Sequence, residues 1–69
     1  MDIKGLAKHE AAYDLMLHNS ANAAAAILRA EYDEVSIFNE SQKKEFIYEY
    51  NQTFTAVEVM TRDRPKGKK

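Results

Sequence analysis

Bulky apolar side chains recur along the first half of the chain with the period of an α-helix. On a helical wheel of about 100° per residue, one face carries Ile3, Leu6, Tyr13, Met16, Leu17, Ile27 and Leu28. The opposite face carries Lys4, His18, Asn22 and Arg29. The pattern predicts one helix from about residue 4 to residue 32. A break at His18–Ser20 is the alternative, because Asn and Ser favour helix caps over helix interiors.

Small residues form a second apolar face beside the bulky one. It consists of Ala12, Leu15, Ala23, Ala26 and Ala30. The combined apolar surface is wider than the roughly 100° arc that one neighbouring helix covers. Small side chains also let two helix backbones approach closely. We therefore expect this alanine face to be a dimer interface.

The second half of the chain predicts another helix after a loop at 33–38. Asn39 is a suitable N-cap with Gln42 as its capping-box partner, and Ser41 is the competing cap. From there one face carries Phe46, Ile47, Tyr50, Phe54, Val57 and Thr61. Arg64 precedes Pro65, which disfavours further helix, so the helix is predicted over about 39–62.

Few breakers and a short chain together predict the fold. The sequence has two glycines and one proline, none between Leu6 and Arg64, which indicates an all-α, antiparallel hairpin of two long helices. A chain of 69 residues without cysteine buries little surface alone, so we expect the hairpin, residues 1–61, to dimerise into a four-helix bundle. This layout is similar in architecture to the Rop family of RNA-binding bundles, although no motif residue is shared and no functional residue carries over.

The net charge of −1 conceals two regions of opposite sign. Residues 1–60 carry five bases and ten acids, which gives −5, and residues 61–69 carry five bases and one acid, which gives +4. The basic tail, residues 62–69, could contact nucleic-acid phosphates through Arg62, Arg64, Lys66, Lys68 and Lys69. A flexible, solubilising terminus is the competing interpretation, since the tail has no aromatic side chain on which bases could stack.

Residues capable of catalysis or metal binding are sparse. His9 lies among apolar residues on the predicted first helix. It could act as a pH-sensitive group, and the competing interpretation is a packed ring at the end of the bundle. Glu10, Asp14 and His18 recur every four residues as a row of potential metal ligands, but a solvated polar edge is the favoured interpretation. No serine lies in a nucleophile elbow, and the glycines cannot form a phosphate-binding loop. We therefore expect no catalytic residue, no cofactor and no metal.

Two exposed apolar features are candidate partner-binding sites. The first is an outer stripe on the second helix, formed by Tyr48, Thr55 and Val59. The second is the loop, through Ile37 and Phe38. The competing interpretations are that Tyr48 packs against a partner subunit and that the loop folds over the bundle end. Tyrosine with apolar neighbours on a solvent face is typical of an interaction surface.

These features favour a small non-enzymatic regulator or inhibitor that binds itself and a larger protein. Intracellular proteins of this size without motifs are often phage or mobile-element accessory proteins, which is a guess from base rates. The first alternative is a nucleic-acid-binding dimer that uses the basic tail, and the second is a structural or assembly subunit. The longest uncharged run has 14 residues and no leader peptide is evident, so we expect a cytoplasmic protein without membrane contact.

Overall fold

The part of the chain that the structure describes forms three α-helices. A computed structural model describes residues 2–63, with side chains up to Met60. The helices are α1 (Ile3–Leu17), α2 (Ala23–Glu34) and α3 (Glu40–Asp63). The all-α prediction is therefore confirmed. The predicted helix over about 4–32 is interrupted between Leu17 and Ala23, where the alternative prediction placed a break at His18–Ser20. The two-helix hairpin, its dimeric four-helix bundle and the likeness to Rop are therefore not confirmed.

The break between α1 and α2 is made by two asparagines. Asn19 adopts a left-handed conformation, with φ of 50°, which asparagine tolerates better than most residues. Asn22 then caps α2, since its side-chain oxygen accepts a hydrogen bond of 3.1 Å from the amide of Ala25. These local bonds outweigh the continuous apolar pattern through residues 17–23 and turn the chain.

The start of α3 follows the predicted capping box. The Gln42 side chain accepts from the Asn39 amide at 2.8 Å, and the Asn39 side chain accepts from the Gln42 amide at 2.8 Å. The loop before it begins at Val35, which ends α2 in the left-handed conformation with φ of 53°. The predicted cap and helix start are confirmed to within one residue.

The helices alternate in direction. Asp33 and His9 line one cavity between α1 and α2, while Ala25 and His18 line another, so α2 runs back along α1. The helix α3 runs back along α2, because Phe38 packs on Phe46 next to the loop whereas the start of α2 contacts Tyr50 further along. The result is an up-down-up bundle in which α1 and α3 point the same way.

The core combines large side chains from α3 with small ones from the other two helices. The rings of Phe46, Tyr50 and Phe54 stack along α3 with successive centroids 6.2 Å apart, and Phe38 lies 5.9 Å from Phe46. The same cluster contains four fully buried alanines, Ala7, Ala11, Ala26 and Ala30. Large rings fill the space that small residues leave, which gives a well-packed interior.

This packing confirms only part of the predicted bulky face of α1, since Ile3 is buried and Leu6 is partly buried against the core. The buried positions of α1 are Ile3, Ala7, Glu10, Ala11 and Asp14. Of the predicted bulky face, Tyr13, Met16 and Leu17 are exposed, as is Leu28 on α2. On α3, Phe46, Tyr50 and Phe54 are buried as predicted, whereas Ile47 is 40% exposed. The rings of α3 share the core with Ala7, Ala11 and Ile3 of α1, and Leu6 and Leu15 are partly buried against it.

The length of α3 exceeds that of its neighbours. At about 1.5 Å per residue, its 24 residues extend roughly 36 Å, against about 22 Å for the 15 residues of α1. Its later residues are accordingly exposed at Thr55, Ala56, Val59 and Met60. Among the described residues, no helix has the length and apolar character that a bilayer crossing requires.

Candidate functional site

A buried polar network joins all three helices near the middle of the bundle. Arg29 of α2 donates from Nε and Nη2 to Glu10 Oε1 at 2.9 and 2.6 Å, and from Nη2 to Asp14 Oδ1 at 2.8 Å. The Tyr50 hydroxyl of α3 donates to Asp14 Oδ2. It also accepts from the Asn22 amide at 2.9 Å. The network thus connects α1, α2 with its N-cap residue Asn22, and α3.

The electrostatics of the network follow from its burial. The side chains of Glu10 and Asp14 are 8% and 2% exposed, whereas that of Arg29 is 36% exposed. Burial lowers the pKa of Arg29, but hydrogen bonds and charges from both carboxylates outweigh that effect and raise its pKa overall. Burial raises the pKa of Tyr50 to about 12, and the bond to Asp14 adds to the increase.

The predicted polar row on α1 is therefore divided. Glu10 and Asp14 are buried ion-pair partners and do not form a solvated edge. His18 is exposed, and its ring forms a T-shaped pair with that of Tyr13, with 6.3 Å between the ring centroids. His9 is exposed as well. The carboxylates and the Tyr50 hydroxyl are occupied by one another and by Arg29. The geometry supports a structural role for the network, which fixes the position of α2.

A second cluster lies on the surface at the end of α2. We call it the end patch and define it as Leu28, Tyr32, Val35 and Ile37. These side chains are 67%, 83%, 89% and 81% exposed, and they line one open concavity of about 810 Å³. Glu31, Asp33 and Ser36 complete its lining. Within the described part of the chain, the lining contains two acids and no base.

Val35 has an unusual combination of backbone and side chain. Its left-handed φ of 53° is a conformation that glycine adopts freely and that a β-branched residue adopts at a cost. The side chain gains nothing from burial in compensation, since it is almost fully exposed. Such an outlier points toward function, because folding alone favours glycine or asparagine at this position.

The loop after Val35 is held in place from below. Glu31 accepts a hydrogen bond from the Phe38 amide at 2.9 Å, and Phe38 is buried in the core. The Ser36 amide donates to the carbonyl of Glu31 at 3.1 Å. The end patch is thus a shaped surface, because the segment that carries Val35 and Ile37 is bonded to α2 and anchored by Phe38.

A third cluster forms the outer face of α1. It consists of His9, Ala12, Tyr13, Met16 and Leu17, which line a concavity of about 340 Å³. No Lys, Arg, Asp or Glu among the described residues lines this concavity. Met16 is the most exposed of its large side chains. We refer to this surface as the α1 outer face.

The predicted partner-binding residues are distributed over two regions. Tyr48, Thr55 and Val59 are exposed along α3, as their spacing predicts, and Ile37 is exposed in the end patch. Phe38 is 2% exposed, so it cannot contact a partner in this structure. Each interpretation of the loop therefore applies to one residue: Phe38 is folded over the core, and Ile37 is exposed to solvent.

The predicted dimer face is placed mainly inside the chain. Ala26 and Ala30 are fully buried, Leu15 and Ala23 are partly buried against the core, and Ala12 belongs to the α1 outer face. Packing of a second copy on Ala26 and Ala30 would require the bundle to open. The candidate nucleic-acid contacts Arg64, Lys66, Lys68 and Lys69 lie outside the described residues, and of Arg62 only the helical backbone is described.

One feature of the sequence could have predicted the polar network, and none could have predicted the left-handed backbone of Val35. Two acids one turn apart on α1 and a single arginine in the next helix suit an ion pair, but only the turn at Asn19 brings them together across 15 and 19 residues.

Comparisons with protein-family models, curated proteins and solved structures found no match.

Proposed function

We propose that this protein is a small non-enzymatic regulator that acts by binding a larger protein through the end patch. The observation that carries the proposal is the shared concavity of Tyr32, Val35 and Ile37, three neighbouring side chains that are all more than 80% exposed. Exposed apolar side chains that form a contiguous surface are typical of interaction sites.

The balance of exposed and buried side chains supports the proposal. Among the described residues, eleven large apolar or aromatic side chains are exposed, whereas six of the buried core residues are larger than alanine. Burying such surface stabilises a complex by about 25 cal/mol per Å² of apolar area. A partner that covered the end patch would remove four of the eleven from water.

The polar network also supports a binding role over a catalytic one. Its acids, its arginine and its tyrosine bond to one another, so they hold the scaffold that presents the end patch. A rigid scaffold reduces the conformational entropy that a surface loses on binding.

A photo-crosslinking amino acid at position 37 tests the proposal. The matched control places the same amino acid at position 51, an exposed position on α3 outside the end patch. In cells that make the protein, position 37 is expected to crosslink one protein in amounts comparable to the bait, and position 51 is not. The captured protein is then purified and its binding measured directly. Equal products from both positions would contradict the proposal.

Self-association through the α1 outer face is a second candidate, and one observation favours it. The face is largely apolar and no Lys, Arg, Asp or Glu of the described residues lines it, so two copies can meet there without repulsion between like charges of these groups. A second copy would cover Tyr13, Met16 and Leu17. Sedimentation equilibrium of the Met16→Glu variant tests it, with Lys44→Glu as the control. A monomer in the first and a dimer in the second is the expected result, and a monomer in the unaltered protein would contradict it.

A further inference from the structure

We infer that the end patch binds a basic amphipathic helix of the partner protein. This inference rests on the proposed function and adds the chemistry of the partner. Leu28 and Tyr32 lie four residues apart on one side of α2, and Ile37 lies across the concavity on the loop. This arrangement is a short apolar groove between a helix and a loop, the kind of surface that accepts the apolar face of a helix.

The acidic residues around the groove favour a partner segment of positive charge. Glu31 and Asp33 line it and no lysine or arginine of the described residues does. Glu34 follows directly in the chain and is exposed. An apolar segment flanked by lysine or arginine would place its cations against these carboxylates, whereas a segment flanked by acids would be repelled.

The same acids argue against two other occupants. In a symmetric dimer through the end patch, each copy would present its own acids to those of the other copy, and the like charges would oppose association. The chain's own basic tail has the complementary charge, but residues 64–69 contain no large apolar side chain to fill the groove. A basic amphipathic helix satisfies both the apolar and the charged part of the surface.

The strained backbone at Val35 supports a specific fit. The left-handed conformation directs the chain from α2 into the loop. Val35 is exposed there and lines the same concavity as Tyr32 and Ile37. Replacing Val35 with asparagine relieves the strain and removes apolar surface at the same point. Val35 is therefore the position at which folding and helix binding make opposite demands.

The test uses three synthetic peptides of about 18 residues, long enough for a helix of about 27 Å. The first has leucine along one helical face and lysine elsewhere, the second has glutamate in place of lysine, and the third is the first with its order scrambled. Fluorescence anisotropy with the full chain is expected to give the tightest binding for the first peptide. Binding should weaken about tenfold or more for each of the others.

Variants of the full chain locate the site. Ile37→Ser is expected to weaken binding of the first peptide about tenfold, as for an interface anchor. Met60→Ser, at an exposed position of α3 outside the end patch, is expected to leave it unchanged. Asp33→Asn is expected to weaken it about twofold, the size typical of a surface ion pair, while Glu45→Gln on α3 does not. Circular dichroism of each variant confirms that it is folded.

Each outcome decides a different point. Equal affinity for the lysine and glutamate peptides overturns the inference that the partner is basic, and equal affinity for the scrambled peptide overturns the inference that a helix is bound. If neutralising Lys66, Lys68 and Lys69 abolished peptide binding and Ile37→Ser did not, the end patch would not be the binding site and the inference would also be overturned. If no peptide binds while position 37 still crosslinks one protein, the basic-helix inference fails and the proposed protein-binding function stands.

Discussion

The hydroxyl of Tyr50 on α3 donates its hydrogen bond to the carboxylate of Asp14 on α1, 36 positions earlier in the chain. Asp14 is 1% exposed and Tyr50 is completely buried, so water does not compete for this bond. The same hydroxyl accepts from the Asn22 amide at the start of α2. One side chain therefore fixes the three helices relative to one another.

Tyr50→Phe is expected to lower the free energy of unfolding by about 1–3 kcal/mol. The variant keeps the ring but leaves a buried carboxylate oxygen and a backbone amide without their partner. Urea unfolding measures the change. Tyr48→Phe is the matched control, because its hydroxyl belongs to an exposed side chain and its loss should change stability by less than about 0.5 kcal/mol. Equal effects in the two variants would show that the buried bond contributes nothing.

Alkaline pH is expected to weaken the fold through Tyr50. Folding raises the pKa of this group from its ordinary value near 10 to about 12, because burial disfavours the tyrosinate. The folded state then holds its proton where the unfolded state has lost it. The stabilisation is complete below about pH 10 and is lost as the pH rises toward about 12.

Tyrosinate absorbance measures the pKa of Tyr50, and urea unfolding between pH 10 and pH 12 measures the dependence of stability on pH. The titration should contain a late step with an apparent pKa of about 12 that is absent in Tyr50→Phe. The stability of the variant should fall less between pH 10 and pH 12. Parallel curves for the two proteins would contradict the assignment.

Arg29→Gln is expected to destabilise the protein by about 3 kcal/mol. It leaves Glu10 and Asp14 buried without their cation, and breaking a buried ion pair typically costs about 3–5 kcal/mol. The lower value applies because Arg29 is 36% exposed and water can replace part of its contribution. Lys44→Gln on the exposed side of α3 is the control. Adding Glu10→Gln to Arg29→Gln should recover part of the loss, and a further loss would argue against the pairing.

Ala26→Glu is expected to unfold the chain. Ala26 is completely buried in the core, so a glutamate there carries an unpaired charge into an apolar interior. Ala24→Glu, two residues earlier at an exposed position, should leave the fold intact. Thermal melting together with sedimentation decides the outcome. A folded, monomeric Ala26→Glu variant of a chain that is otherwise dimeric would instead support the predicted dimer interface at the alanine face.

The parts of the fold that local chemistry determines could be predicted from the sequence. The Asn39–Gln42 capping box needs only residue types three positions apart, and the burial of Phe46, Tyr50 and Phe54 follows from their spacing on one helix. Exposure of Tyr48 and Val59 follows from the same wheel. The exposure of Ile37 in the loop was also predicted.

The parts that depend on tertiary context were missed. Large side chains on α1 were expected in the core, and Ile3 is buried there, but the rings of α3 share the core mainly with the small Ala7 and Ala11, whereas Met16 is exposed. Burial of Asp14 depends on Arg29, which reaches it only after the chain turns at Asn19. The left-handed backbone of Val35 has no sequence signal, because valine rarely adopts it.

The central claim is that the end patch is shaped for binding at some expense of stability, and Val35→Asn tests it in one variant. Asparagine relieves the left-handed strain, so the free energy of unfolding should rise by about 1 kcal/mol. The variant also removes an exposed apolar side chain from the concavity, so its affinity for the leucine–lysine helix should fall severalfold. The measurement is the pair of free energies, unfolding and binding, for the variant and the unaltered chain. Greater stability with weaker binding is the predicted result, and greater stability with unchanged binding would contradict the account.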